Sequence, residues 1–597
     1  MDTPFATPDW AAHAVWYHVL VSRFRNGDPA NDPAPRVPWT WNWPRPFGEE
    51  VGPRGYYRHI WFRRYGGDLA GLREKLPYLR DLGVNALYLM PVFAAESEHK
   101  YDTFDYRHID DSYGVKGSLA RISGETDDPA TWQWTASDRL FLAFVAEAHR
   151  QGFRVILDVS FNHVGRRHGA FQDVLRHGRD SRYAAWFEIT QWTPSLRWKA
   201  WDGENGSLPE FRREGGAYAA SLREHLFAIT RRWMDPDGNG DASNGIDGWR
   251  LDVANLVPAT FWREWRRLVK SINPEACIIG EIWGPAQAWL RGDQFDGVMN
   301  YGFARRMQRF FVNRRKASAP SDFVRSMTDL LTRYPPQATR VMQNLLDSHD
   351  TDRFASMMVN PDLPFDRRNR VQDSNPRYNL RPPTEDEYRR VRCAWIVQFT
   401  LPGAPMVWYG DEVGMFGADD PHCRKPMIWK DLEPYDDPAE HVRDAMFEHC
   451  RRLMAIRHAC IALRIGDIRF VHADDSAHTL AYTRTHDDEQ ILIVINNDDA
   501  AHDVSIATDL PDRTEVFDLL SPAAEVVPPA GDDPQGRPSI RIVADATPSA
   551  RVLGGRLAVS LPPRWGAVLV PRVRAAPGGM SAETSQTPES REPVSRS

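Results

Sequence analysis

The sequence predicts an α/β fold: a (β/α)8 TIM barrel with a subdomain inserted after its third strand and an all-β sandwich domain behind it. Three observations lead there. Short apolar runs alternate with longer helical patterns from about residue 14 to residue 460. Two long polar insertions follow individual runs, as loops do at the C-terminal ends of barrel strands. Beyond about residue 465 the helical patterns stop and strand-like alternation takes over.

The runs read as strands are AVWYHVLV (14–21), NALYLMPV (85–92), RVILDVSF (154–161) and GWRLDVA (248–254), then CIIGEIW (277–283), FDGVMNY (295–301), VMQNLLDS (341–348) and APMVWYG (404–410). Most are apolar on both faces, as strands of a parallel sheet covered by helices are. Between them lie helical patterns such as DLAGLREKLPYLRDLG and DRLFLAFVAEAHRQG, the latter with Ser137 as its expected N-cap. A doubly wound open sheet is the competing arrangement for such alternation; eight repeats over this length favour the barrel. The first insertion, about Asn162 to Tyr218, is rich in Trp, Gly and Arg. The second, residues 353–384, ends in a capping box at Thr384 and Glu387. The expected organisation is a lead-in (1–13), a barrel (14–161 and 219–462), an inserted subdomain (162–218), a β-sandwich (463–572) and a disordered tail (573–597) almost free of large apolar residues.

With 597 residues the chain exceeds one hydrophobic core, and 42% hydrophobic with 26% charged residues is ordinary globular composition. A net charge of −7 gives no reason to expect a nucleic acid or an anionic membrane as partner. No signal peptide and no run of about 18 apolar residues is found. The five cysteines lack any CxxC spacing, which points to a reduced, cytoplasmic setting and away from zinc. Most of the 22 tryptophans are expected in the core, and a minority on loops as platforms for flat sugar faces.

The polar residues at the strand ends carry the chemistry. The third run ends in Asp158, Asn162 and His163; the fourth carries Arg250 and Asp252; the fifth reaches Glu281; the seventh runs into His349 and Asp350. Side chains two apart on a strand share a face, so Arg250 and Asp252 must emerge side by side. One acid at a strand end is commonly only a cap or a salt-bridge member. Several on one barrel rim make a pocket.

The segments LDVSFNHVG, GWRLDVAN, GEIW and LLDSHDTDR resemble, in order and spacing, the four signature regions of the α-amylase family, glycoside hydrolase family 13. NGDPANDP, HKYDTFDY, WLRGDQFDGVMNY and Ser348 are most similar to the cyclomaltodextrinase, neopullulanase and maltogenic amylase branch. The resemblance covers roughly residues 12–460, more weakly the β-domain. It implies retaining cleavage of α-1,4-glucosidic bonds in maltooligosaccharides, cyclodextrins or related α-glucans, with transglycosylation as a side activity. Such chemistry needs two carboxyls roughly 5–5.5 Å apart, one ionised as nucleophile and one protonated as acid. Asp252 matches the nucleophile, with Arg250 expected to hold it charged; Glu281 matches the acid/base and Asp350 the acid that supports the distorted sugar. His163 and His349 match the pair bonding sugar hydroxyls, and Tyr101 the residue stacking beneath that sugar. Asp158 is expected to organise Arg250, and Trp283 to be an aglycone platform, with Trp192, Trp198 and Trp201 either platforms or packing.

The resemblance also implies a structural calcium at Asn26, Asp28, Asn31, Asp32, Gly66, Gly67 and Asp68, a ligand chemistry suited to a hard cation but equally a common turn composition. A second calcium of many α-amylases uses a His where Leu256 stands. Three features depart from the branch: the chain starts at the barrel without the usual preceding β-domain, which leaves the oligomeric state open; SLPEF replaces the usual fifth motif, with Glu210 in place of Lys; and the loop after the seventh strand is long. A transferase or isomerase on the same scaffold, trehalose synthase-like or sucrose-active, is the enzymatic alternative. A non-catalytic descendant would be expected to have lost the carboxylates.

Overall fold

The computed structural model describes residues 5–48, 50, 60–371, 374–528, 533 and 535–571. Each of the eight apolar runs forms one strand of a parallel sheet: Trp16–Val19, Ala86–Leu89, Arg154–Ser160, Gly248–Asp252, Cys277–Gly280, Gly297–Val298, Gln343–Asn344 and Ala404–Trp408. Numbered in that order, their sequence in the sheet is 6-5-4-3-2-1-8-7. A parallel bridge from Met299 to Gln343 joins strands 6 and 7 and closes the barrel. The open-sheet arrangement is thereby excluded.

Alternation along each strand sends every second side chain to the barrel axis. Those positions start apolar and end polar: Trp16 then His18, Ala86 then Tyr88, Ile156 then Asp158, Cys277 and Ile279 then Glu281. The apolar members, with Met299, Leu345 and Met406, pack as one buried cluster inside the barrel. A larger cluster lies between strands and helices. Gly248, at φ +152°, opens the fourth strand because a Cβ there would stand 2.0 Å from the Cys277 carbonyl oxygen of its neighbour.

Helix Ala136–Arg150 starts two residues earlier than expected. Thr135, not Ser137, is its N-cap. The Asp138 amide donates to Thr135 Oγ1 at 3.0 Å and the Thr135 amide to Asp138 Oδ2 at 2.8 Å, a reciprocal box that Ser137, lacking an acid at its own N3, cannot form. The expected box at Thr384 and Glu387 caps helix Glu385–Thr400.

The segment after the third strand holds helix Gly169–His177 and a short hairpin, packed on Phe171, Phe187, Trp198 and Phe211. From Asp467 onward the chain forms antiparallel sheets whose two leaves enclose Leu492, Val494, Val504, Ile506, Val552 and Leu557. The tail expected to be disordered lies outside the described residues. No helix among them is long and apolar enough to cross a membrane. All five cysteines are buried and none forms a disulfide.

Candidate active site

The polar ends of the inward-facing positions meet at a cleft of about 950 Å³. Asp252, Glu281, Asp350, Tyr101, His163 and Trp283 all line it. Arg250, Asp158 and His349 sit just beneath, fully buried. Strand register explains the convergence: Asp158 is level with Arg250 and Ser160 with Asp252, while Leu251 pairs with Gly280 and so puts Glu281 next to Asp252.

Arg250 is the hub. Its Nη1 donates to both oxygens of Asp158 at 2.9 Å and to Asp252 Oδ1 at 3.1 Å. Its Nη2 lies 3.0 Å from Glu281 Oε1. Asp158 also accepts from the Tyr88 and Tyr101 hydroxyls, each at 2.7 Å, and so orients the guanidinium. Arg250 pairs with Asp252 and is organised by Asp158 as expected, but it also pairs with Glu281, so one cation is shared among three carboxylates.

Glu281 is buried and takes two further hydrogen bonds. The Val253 amide donates to its Oε2 at 2.9 Å and Trp283 Nε1 to its Oε1 at 3.0 Å. Val253 reaches it because the fourth strand ends in a left-handed residue, φ +42°, a costly conformation for a β-branched side chain. Burial, and then the charge of Glu281, push the Asp252 carboxyl well above its usual range, against the pull of Arg250. Sequence reasoning had no means of weighing burial and the neighbouring Glu281 charge against Arg250 at Asp252.

Asp350 is different. Burial opposes its charge, yet His349 and Arg424 outweigh burial and hold its carboxyl far below the usual range. Arg424 Nη2 donates to Asp350 Oδ1 at 2.8 Å and Arg424 Nε to the His349 carbonyl at 2.7 Å. His349 Nε2 lies 2.8 Å from the Tyr101 hydroxyl, and the two rings stack. Burial pushes His163 down to about 4, so it is neutral near pH 7, with Nε2 finding no hydrogen-bond partner among the described residues.

Of the inserted tryptophans, Trp198 is buried against Phe171 and Trp192 packs under Arg179. Trp201, 49% exposed, reaches the cleft and stacks on His163. Trp283 lies on Tyr301, ring centroids 3.7 Å apart, so one of its faces is already covered. Glu210 turns away to Lys199 and Arg213, each at 3.0 Å, while Leu208 of the same motif lines the cleft.

Sequence reasoning missed Arg424, Asp366, Arg370, Asp420, Trp61 and Trp289, all lining the cleft. It also missed Tyr88 and His18, the latter stacked on Tyr88 at 4.0 Å beneath His349. The last two were readable as polar atoms inside apolar strands; the loop residues carried no such signal.

The model of the α-amylase catalytic domain matches residues 18–129 and 136–455. The chain belongs to the α-amylase family. A second model, the maltogenic amylase C-terminal domain, matches residues 468–533 of this α-amylase-family protein. It is 40% identical over 497 residues to neopullulanase 2 of Thermoactinomyces vulgaris, covering 83% of this chain and 71% of that one. A cyclomaltodextrinase of Geobacillus thermopakistaniensis is 34% identical over 505 residues, 85% of this chain and 72% of the relative. Among solved structures, the cyclic α-maltosyl-(1→6)-maltose hydrolase of Arthrobacter globiformis superposes with a TM-score of 0.68 at 28% identity, covering 95% of this chain and all of that one. The protein is accordingly a glycoside hydrolase of this family, which acts on α-glucans.

Proposed function

We propose that the protein hydrolyses α-1,4-glucosidic bonds of cyclodextrins and short maltooligosaccharides, with retention, inside the cell. The observation that carries this reading is Arg250 pairing at once with Asp252 and Glu281 at the base of a cleft that Asp350 also lines. Glu281 protonates the leaving glycosidic oxygen as Asp252 attacks the anomeric carbon. Glu281 then takes a proton from water, which displaces Asp252 from the sugar. The productive state has Asp252 charged and Glu281 neutral. Because Arg250 touches both, the cation stays paired as negative charge passes from one to the other. Asp350, held charged by Arg424 and His349, faces the positive charge that develops on the sugar ring. His163 bonds its hydroxyls, Tyr101 stacks beneath it backed by the buried His349, and Trp283 and Trp201 flank the leaving chain.

The names of the relatives support the substrate class: each is a hydrolase of α-glucans, two of them of cyclic ones. They weigh against the transferase or isomerase alternative. The buried, reduced cysteines suit an intracellular setting.

A structural calcium belongs to the same proposal, held by Asn26, Asp28, Asn31, Asp32, Gly66 and Asp68. The donor set fits a hard cation. Among the described residues Asn31 Oδ1 is buried with no hydrogen-bond partner, and Gly66, at φ +80°, sits against the Asp32 and Asn26 side chains in a backbone conformation that favours glycine. Asp68 already accepts from the Gly27, Asp28 and Gly71 amides, fastening this loop to the N-terminus of helix Leu69–Glu74. Calcium there would supply local rigidity.

The test sets wild type beside Asp252→Asn on β-cyclodextrin, maltotriose, soluble starch and pullulan, with products resolved by chromatography. Cyclodextrin cleaved faster than starch, with the variant inert, is the expected result. Wild type that cleaves no glucan would sink the proposal.

A further inference from the structure

The long loop after the seventh strand enters the cleft with two charged side chains, Asp366 and Arg370, to which the reaction gives no part. Residues 365–370 run from one catalytic carboxylate to another. At one end Phe365 packs edge-on against Tyr301, ring centroids 6.4 Å apart, and Tyr301 in turn underlies Trp283 beside Glu281. At the other, Arg370 Nε lies 3.0 Å from Asp419 and its Nη2 2.8 Å from Asp420. Asp420 shares Arg424 with Asp350, at 3.3 and 2.8 Å. Asn369 adds an Nδ2 hydrogen bond to Asp352 and accepts one from the Asp419 amide.

We propose that Asp366 and Arg370 bind the hydroxyls of the glucosyl unit adjoining the one held at Asp350, making this loop a specificity determinant. The proposal rests on the α-glucan reading of the cleft. Three features support it. Asp366 and Arg370 line the same cleft as Asp350 and Asp420. Arg370 keeps 41% of its side chain exposed although tied to two carboxylates, so a ligand can reach it. Burial, then the charge of Asp350, push the Asp366 carboxyl up to about 7. Near neutral pH that carboxyl is populated in both forms and can donate to or accept from a sugar hydroxyl.

Asp366→Ala and Arg370→Met are assayed on whichever of the four glucans wild type cleaves fastest, with kcat and KM determined separately. Losing a hydrogen bond from a charged group to a sugar should raise KM by about tenfold or more, with kcat changed less than about threefold. A purely structural role reduces the folded fraction and so lowers kcat at constant KM; an unmoved KM in both variants overturns the inference. Wild type inactive on every glucan is a different failure, one of the hydrolase reading itself, and it removes this inference too.

Discussion

Replacing Arg250 by methionine should displace the pH profile and not merely scale it. The guanidinium is fully buried and lies 3.1 Å from Asp252 and 3.0 Å from Glu281. At an effective dielectric of about 20, a unit charge at that range is worth roughly 5 kcal/mol, or up to about 4 pKa units. Asp252 already stands well above its usual range with the cation present. Without it, the Asp252 carboxyl rises further and holds its proton to higher pH. A protonated Asp252 cannot attack, so kcat/KM should fall by at least about a hundredfold near neutrality and recover as pH is raised. The rise that marks Asp252 ionisation should therefore move to higher pH by about two units or more. Removing one partner of a buried ion pair also costs about 3–5 kcal/mol of stability, eased here by proton uptake. The assay is kcat/KM on β-cyclodextrin from about pH 5 to pH 10, with the folded fraction checked by thermal melting. A variant profile parallel to wild type, lower but unshifted, would refute the shared-cation argument.

Two further outcomes concern stability. Removing calcium with a chelator should lower Tm, and adding it back at about a hundred times its dissociation constant should restore about 2.7 kcal/mol; a Tm indifferent to both would exclude the proposed ion. Acid should unfold the protein early. Burial pushes His163, His225 and His458 down to about 4 and His168, His422 and His449 to about 3. Between about pH 6.5 and these values the unfolded chain binds protons that the folded chain refuses, so stability declines as pH falls, by up to about 3.4 kcal/mol for each of the first three groups and about 4.8 kcal/mol for each of the others. Melting curves at about pH 7, 6 and 5 should step downward, and a constant Tm across them would contradict the burial of these rings.

The strands were legible because a covered parallel strand must be apolar on both faces, a constraint written in consecutive residues. That made the barrel and its eight runs readable, along with Asp252, Glu281 and Asp350 at the polar ends of inward-facing positions. The alternation also fixed Arg250 and Asp252 on one face, which their 3.1 Å contact bears out. Thr135 was readable as well, since TASD spells its own capping box; Ser137 was the wrong hydroxyl of the two.

What the sequence could not decide was how one cation is divided. Arg250 and Asp252 are neighbours on a strand, but the distances to Glu281 and Asp158 depend on the register of three strands, and electrostatic coupling depends on distance and burial together. Arg424 and Arg370 lie on loops, whose composition says little about direction. Only closure of the barrel brings residue 424 against residue 350, and residue 370 against 419 and 420. Local pattern settled which residues line the barrel axis, because periodicity is a property of neighbouring residues. The state of charge of the site was settled by the tertiary structure, because it is a sum over residues up to 266 positions apart.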